Sequence, residues 1–203
     1  MKDVQIETSS GPATAELERP ADPRFLLVLT HGAGGGVDGP DLLAARDAAG
    51  ALGGAVARVL QPYRVRGARA PGPGLRQDGA WLEIIARLRA EVPGVPLIQG
   101  GRSNGARVAC RTARAAGAAG VIALAFPLHP PGRPDRSRAD ELRAAGTSVL
   151  VINGSRDPFG IPDRADATKV VVLAGETHAL TGSPGRVAEE VGTWLSTVLR
   201  LAA

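Results

Sequence analysis

The chain has 203 residues, 44% hydrophobic and 22% charged, a balance typical of a folded globular chain and unlike that of disordered or fibrous sequences. Its one cysteine, Cys110, excludes an internal disulfide and a multi-cysteine zinc site. The net charge is +4, and only Lys2 and Lys169 are lysines, so the positive charge is almost entirely arginine.

Val4, Ile6 and Thr8, then Ala13, Ala15 and Leu17, alternate with polar residues on either side of Ser9-Ser10-Gly11-Pro12. This period-two pattern about a turn predicts an opening hairpin. Residues 25–29 form a continuous apolar strand, of the sort covered on both faces in a parallel sheet, and run into His31-Gly32-Ala33-Gly34-Gly35-Gly36, where the glycines end it. An alanine-rich helix is predicted over 41–51, a strand over 55–60 and an arginine- and proline-rich loop over 62–74. Helix 80–90 carries an apolar stripe on Trp81, Ile84, Ile85 and Leu88, spaced i, i+3, i+4, i+7.

Strand 95–99 is expected to break at Gly100-Gly101, with helix 104–116 after it. Arg107, Arg111 and Arg114 share one face of that helix, expected to be its wetted side. Strand 121–126, helix 139–145, strands 148–152 and 169–173, and a terminal helix 184–200 aligned on Val187, Val191, Leu195 and Val198 complete the chain.

Alternation of this kind predicts an α/β architecture: a mostly parallel central sheet behind an antiparallel N-terminal hairpin, with helices on both faces. No linker or repeat divides it, giving one domain over 1–203. The roughly twenty residues between Phe126 and Ser148 leave no room for a lid domain. The opening Met1-Lys2-Asp3-Val4-Gln5-Ile6-Glu7 lacks a signal peptide's apolar run, and 121–126, the longest apolar stretch, is too short to span a bilayer. A cytoplasmic protein without a membrane segment is expected.

Two windows are empty of acids. Arg58, Arg64, Arg66, Arg69 and Arg76 lie between Asp47 and Asp78, and Arg102, Arg107, Arg111, Arg114 and Arg133 between Glu91 and Asp135. They raise nucleic-acid binding, but Tyr63 is the one aromatic of the first window and no helix-turn-helix or RNP pattern occurs. Solvated faces are the expectation instead.

In an open parallel sheet the chemistry sits at the carboxyl ends of the strands. Gly101-Arg102-Ser103-Asn104-Gly105 is a GxSxG sequence at a strand end just ahead of a helix, the context of a nucleophile elbow. A serine hydroxyl needs an imidazole to take its proton, and the imidazole needs a carboxylate to orient it. Asp157 follows strand 148–152 and His178 follows strand 169–173, in the order Ser, Asp, His of this class. His31 and His129 fit a base less well, while Asp163 and Asp166 stand close enough to replace Asp157. Oxyanion donors are expected from the amides of Ala33 and Asn104.

From His31-Gly32-Ala33-Gly34-Gly35 through Gly100-Gly101-Arg102-Ser103-Asn104-Gly105, Phe126-Pro127-Leu128-His129-Pro130-Pro131-Gly132, Gly154-Ser155-Arg156-Asp157 and His178, the chain resembles the small lidless α/β-hydrolases. More narrowly it resembles the dienelactone-hydrolase-like branch related to testis-expressed and histone-acetyltransferase-complex subunits. The resemblance implies Ser103 as nucleophile, Asp157 as acid and His178 as base, with Ala33 and Asn104 lining the oxyanion hole. It departs in two places: the branch's name-giving enzymes carry cysteine where this chain has Ser103, and methionine is common where it has Asn104.

The same residues allow rivals. Gly34-Gly35-Gly36-Val37-Asp38-Gly39 satisfies the GxGxxG of a dinucleotide-binding domain, but Leu60-Gln61-Pro62 stands where that fold needs an acid. No GKS or GKT signals a P-loop, and the histidines and cysteine lack ligand spacing, so neither cofactor nor metal is expected. An idle hydrolase fold used as an interaction module is the rival from another class. Three chemistry-bearing residues at three strand ends favour an enzyme acting on a small ester or thioester, and Arg102, Arg64 and Arg66 would favour an anionic one.

Overall fold

The computed structural model describes residues 1–200. Strands β1 (Lys2–Ile6) and β2 (Ala13–Glu18) form the predicted antiparallel hairpin, with Val4 opposite Ala15. Its alternation is real: Val4, Ile6, Ala13, Ala15 and Leu17 are buried and their neighbours are not. Next come β3 (Leu26–Thr30), α1 (Pro40–Ala51), β4 (Ala55–Leu60), α2 (Pro62–Val65), α3 (Gly74–Glu91), β5 (Leu97–Arg102) and α4 (Asn104–Ala116). The chain closes with β6 (Gly120–Leu124), α5 (Ala139–Arg143), β7 (Ser148–Gly154), β8 (Lys169–Leu173) and α6 (Pro184–Val198).

The eight strands lie in the order β1-β2-β4-β3-β5-β6-β7-β8. β2 joins β4 antiparallel, and every later pairing is parallel. Successive side chains of a strand point to opposite faces, so Leu27 and Leu29 pack with Leu42 of α1 and with Val187, Val191 and Trp194 of α6. Leu26 and Val28 pack instead with Trp81, Ile84 and Leu88 of α3. Among the described residues no helix is long and apolar enough to cross a membrane.

Five expectations need correction. β5 does not break at Gly100-Gly101; it runs through both to Arg102. These glycines serve close approach, since a side-chain carbon on Gly101 would stand 2.6 Å from the Thr30 carbonyl oxygen on β3. α3 starts at Gly74, six residues before the predicted start at residue 80, and the expected loop 62–74 contains α2. Its first turn was hidden because Leu75 is exposed and contributes nothing to the apolar stripe.

The arginine face of α4 is not a wetted side. Arg111 makes a bidentate pair with Asp78 of α3, at 2.9 Å from Nε and 2.6 Å from Nη2, and Arg107 makes another with Glu141 of α5, at 2.9 and 2.6 Å. Paired forks of this kind fix geometry as well as charge, tying three helices together; Arg114 alone stays exposed. Arg58 is likewise no surface charge. It sits on β4, 4% exposed, against Glu16 of β2 and Asp38 of the loop after β3.

Candidate active site

The reversal from β5 into α4 forces Ser103 to φ 52°, ψ −112°, a conformation that costs a non-glycine residue on the order of 1–3 kcal/mol and persists only where its surroundings hold it. Two backbone bonds hold it here. Ser103 donates its N–H to the Leu124 carbonyl at 2.9 Å, and its own carbonyl accepts from Arg107 at 3.2 Å. Gly105 lets the turn press onto β3, because a side-chain carbon there would lie 2.7 Å from the carbonyl oxygens of Thr30 and His31.

The strained serine is half-buried, and its Oγ lies 2.9 Å from His178 Nε2. His178 sits in the loop between β8 and α6, and its Nδ1 is 2.8 Å from Asp157 Oδ2. A carboxylate can only accept, so Nδ1 carries the proton and Nε2 turns its lone pair toward the serine hydroxyl. The Asp157 side chain is fully buried. Its Oδ1 accepts from the Phe159 N–H at 2.9 Å, and Asn153 Nδ2 approaches Oδ2 at 3.4 Å. Asn153 also clamps Phe126, accepting from its N–H at 2.9 Å and donating to its carbonyl at 3.0 Å. The Phe159 ring lies over the imidazole, centroids 4.2 Å apart and tilted by 33°.

Arg102 supports the histidine from beneath. Its Nη2 donates to the His178 carbonyl at 2.8 Å and its Nε to Asp41 Oδ2 at 3.0 Å. The Asp41 side chain is fully buried; burial raises its carboxyl above the ordinary range, and the charge of Arg102 opposes that rise.

The predicted oxyanion loop backs directly onto the serine: a side-chain carbon on Gly32 would stand 3.2 Å from Ser103 Cβ. Ala33 follows, in a turn closed by the Gly35 N–H on the Gly32 carbonyl at 3.1 Å. Asn104 is the first residue of α4, so its N–H precedes the helical hydrogen-bond ladder.

His31 has a different task from His178. It is fully buried, accepting the Gln61 N–H on Nε2 at 3.0 Å and donating from Nδ1 to the Gly32 carbonyl at 2.8 Å. Burial drives its pKa down to about 4; the bond to Gly32 opposes the shift and Arg64 adds to it. It is a neutral strut beneath the glycine loop. His129 fastens the 126–132 stretch to the loop after β7, its N–H on the Phe159 carbonyl at 3.0 Å and its Nδ1 on the Pro130 carbonyl at 2.9 Å.

Of the three candidate acids, only Asp157 meets the imidazole. Asp166 accepts from Arg143 Nε at 2.9 Å and from the Asp163 N–H at 3.0 Å, while Asp163 accepts from the Ala165 N–H at 2.8 Å. Sequence reasoning missed Asn153, Phe159, Asp41 and the bracing position of Arg102. A detectable signal existed for Asn153, a polar residue ending an otherwise apolar strand. Gln61, at the end of β4, is bonded inward to Thr30 and Gln77, and it offers no carboxylate to a dinucleotide ribose. Cys110 is fully buried, and burial pushes its thiol upward.

Three cavities lie at residues neighbouring this cluster. One of about 680 Å³ opens beside Tyr63 and Gln61, one of about 410 Å³ beside Asn104 and Leu75, and one of about 260 Å³ beside Gly32, Arg102 and Thr181.

Residues 23–182 match the model of a family described as "Alpha/beta hydrolase domain". Among solved structures, the chain is similar to an alpha-beta serine hydrolase homologue from Coxiella burnetii, at 18% identity over 96% of this chain and 97% of that one, TM-score 0.78. It is similar to Est1E from Butyrivibrio proteoclasticus, at 15% identity over 98% and 99%, TM-score 0.77. It also matches XC6422 from Xanthomonas campestris, described as an α/β serine hydrolase without a lid, at 20% identity over 100% and 95%, TM-score 0.70. A search of curated proteins found no match. At these identities the likeness is one of fold, and it extends over nearly the whole chain.

Proposed function

Because the chain belongs to the alpha/beta hydrolase domain family, we propose that it is a serine hydrolase cleaving a small ester or thioester through an acyl-enzyme on Ser103. The observation that carries this reading is the unbroken line from Ser103 Oγ to His178 Nε2 at 2.9 Å and from His178 Nδ1 to Asp157 Oδ2 at 2.8 Å. A scaffold has no need of such a line, nor of a serine held in a strained turn at its head.

In this reading Ser103 Oγ attacks the carbonyl carbon while its proton passes to His178 Nε2, and Asp157 stabilises the resulting imidazolium. The amides of Ala33 and Asn104 face the developing oxyanion, a contribution worth roughly 10²–10³ in rate per donor in comparable enzymes. Collapse expels the alcohol or thiol, which takes the proton from Nε2 and leaves an ester on Ser103. Water then enters, gives its proton to the same nitrogen and attacks the acyl carbon; the acid departs and the proton returns to Ser103. With no lid over it the site suits small acyl groups. One neighbour of this fold, Est1E, is described with ferulic acid bound, a small acid of the size an open site would release. Within the family we place the chain beside the dienelactone-hydrolase-like branch, on its 126–132 stretch.

A fluorophosphonate probe tests the reading. It is expected to label the native protein and to leave Ser103→Ala unlabelled, with p-nitrophenyl ester and thioester turnover following the label. Absence of labelling on the folded native chain would sink it.

A further inference from the structure

The arginines gathered at the carboxyl end of the sheet divide into two sets. Arg58 is neutralised by Glu16 and Asp38, Arg102 by Asp41, Arg107 by Glu141 and Arg111 by Asp78. Arg66 and Arg76 are not: among the described residues neither forms an ion pair with a carboxylate, and both line the 680 Å³ cavity. No aspartate or glutamate lines that cavity with them.

Both arginines are tied to the β1–β2 turn through backbone groups. Arg66 donates from Nη1 to the Ser10 carbonyl, and the Arg76 carbonyl accepts from the Ser10 hydroxyl at 3.4 Å. A guanidinium has five N–H donors; Arg66 places one on the protein and Arg76 none, which leaves two forks available at one cavity. The two arginines named with Arg66 as favouring an anionic substrate are engaged. Arg64 donates to the carbonyls of Gly35 and Ala68 at 2.8 and 3.0 Å, and Arg102 braces the histidine.

The cavity reaches toward Ser103 through two intervening residues, Tyr63 and Gly32. Tyr63 forms part of its wall, with its hydroxyl 3.5 Å from the Gly32 carbonyl oxygen, and Gly32 backs onto Ser103. Pro62, Pro73 and Leu75 give it apolar surface, and Leu75 is 88% exposed, an apolar side chain with nothing of the protein over it. The volume lies within the range of small-molecule sites.

We propose that this cavity takes the anionic end of the substrate: an ester carrying a carboxylate or phosphate, joined by a short apolar chain to the bond cleaved at Ser103. Arg66 and Arg76 are its specificity-determining pair. The proposal rests on the reading of Ser103 as nucleophile. Charge-assisted bonds from two unneutralised guanidiniums supply the recognition, and no carboxylate on the cavity wall competes for them.

Two measurements test it. The first compares kcat/KM for p-nitrophenyl hemiglutarate with that for p-nitrophenyl butyrate in the native protein, Arg66→Ala, Arg76→Ala and the double variant. The anionic ester is expected to be preferred, and the ratio to fall roughly tenfold per substitution; taking a ratio cancels any loss of folded protein. The second titrates glutarate, inorganic phosphate and neutral glutaramide into Ser103→Ala by calorimetry. An anion should bind, the amide should not, and binding should disappear when Arg66 and Arg76 are also replaced; the tighter of glutarate and phosphate identifies the anion. A ratio indifferent to both substitutions, or no anion binding, overturns the proposal. Should neither ester be hydrolysed and the fluorophosphonate probe leave the native chain unlabelled, the serine-hydrolase reading fails by itself, and the titration still decides the cavity.

Discussion

Arg102 and Asp41 meet beneath the histidine loop, Nε to Oδ2 at 3.0 Å, and the same guanidinium reaches the His178 carbonyl at 2.8 Å. The arginine that precedes Ser103 in sequence thus fixes the backbone of His178. Replacing Arg102 by alanine is expected to lower kcat by about 10- to 100-fold, the scale on which small misplacements act, with little change in KM. Lysine should restore part of the loss. Steady-state kinetics corrected for the folded fraction from a thermal melt on each variant separate this from general destabilisation, which would lower apparent kcat only in proportion to the folded protein lost.

Asp157 matters through the proton on Nδ1. In Asp157→Asn the amide can donate to Nδ1 and so favour the opposite tautomer, with Nε2 protonated and unable to accept from Ser103. A drop in kcat on the order of 10⁴ is expected in a protein that remains folded. Activity within tenfold of the native value would remove Asp157 from the relay.

Stability should depend on pH through His31. Its folded pKa of about 4 lies below the ordinary histidine value of about 6.5, so between those values the unfolded chain binds more protons and protonation favours unfolding. The stabilisation is complete above about pH 6.5 and is lost as pH falls toward 4, a change on the order of 3 kcal/mol. Asp41, whose carboxyl is raised, contributes with the opposite sign, so the comparison must be with a His31→Asn variant. Urea unfolding from about pH 7.5 to pH 4 should give a steeper decline for the native chain than for the variant.

Gly105→Ala should damage the fold and the site together. The added carbon would stand 2.7 Å from two carbonyl oxygens of β3 and the residue after it, and backbone there cannot move without moving the glycine loop that follows His31. A loss of about 1–3 kcal/mol is expected, read as a lowered denaturation midpoint, with esterase turnover reduced beyond what the folded fraction explains.

The convergence of Ser103, His178 and Asp157 was legible because strand ends leave a mark in sequence: an apolar run, then glycine, then a polar side chain. That pattern located Ser103, His178 and the segment holding Asp157. It could not choose among Asp157, Asp163 and Asp166, because the choice depends on how the backbone turns after Asn153. The α4 arginines were misread for a related reason. Arg111 finds Asp78 33 positions away and Arg107 finds Glu141 34 away, whereas helical periodicity reports only which face a residue occupies. Gly100 and Gly101 were taken for a strand break because local propensity cannot register how closely β3 and β6 approach β5.

Arg58 carries a practical consequence for anyone trimming the gene. A fragment cut to the matched stretch, 23–182, would delete Glu16 and strand a guanidinium with 4% exposure beside half of its counter-charge. It would also discard Val187, Val191 and Trp194, which cover one side of the sheet. Expression boundaries should therefore follow the packing outward to the hairpin and α6, beyond the limits that family likeness alone would suggest.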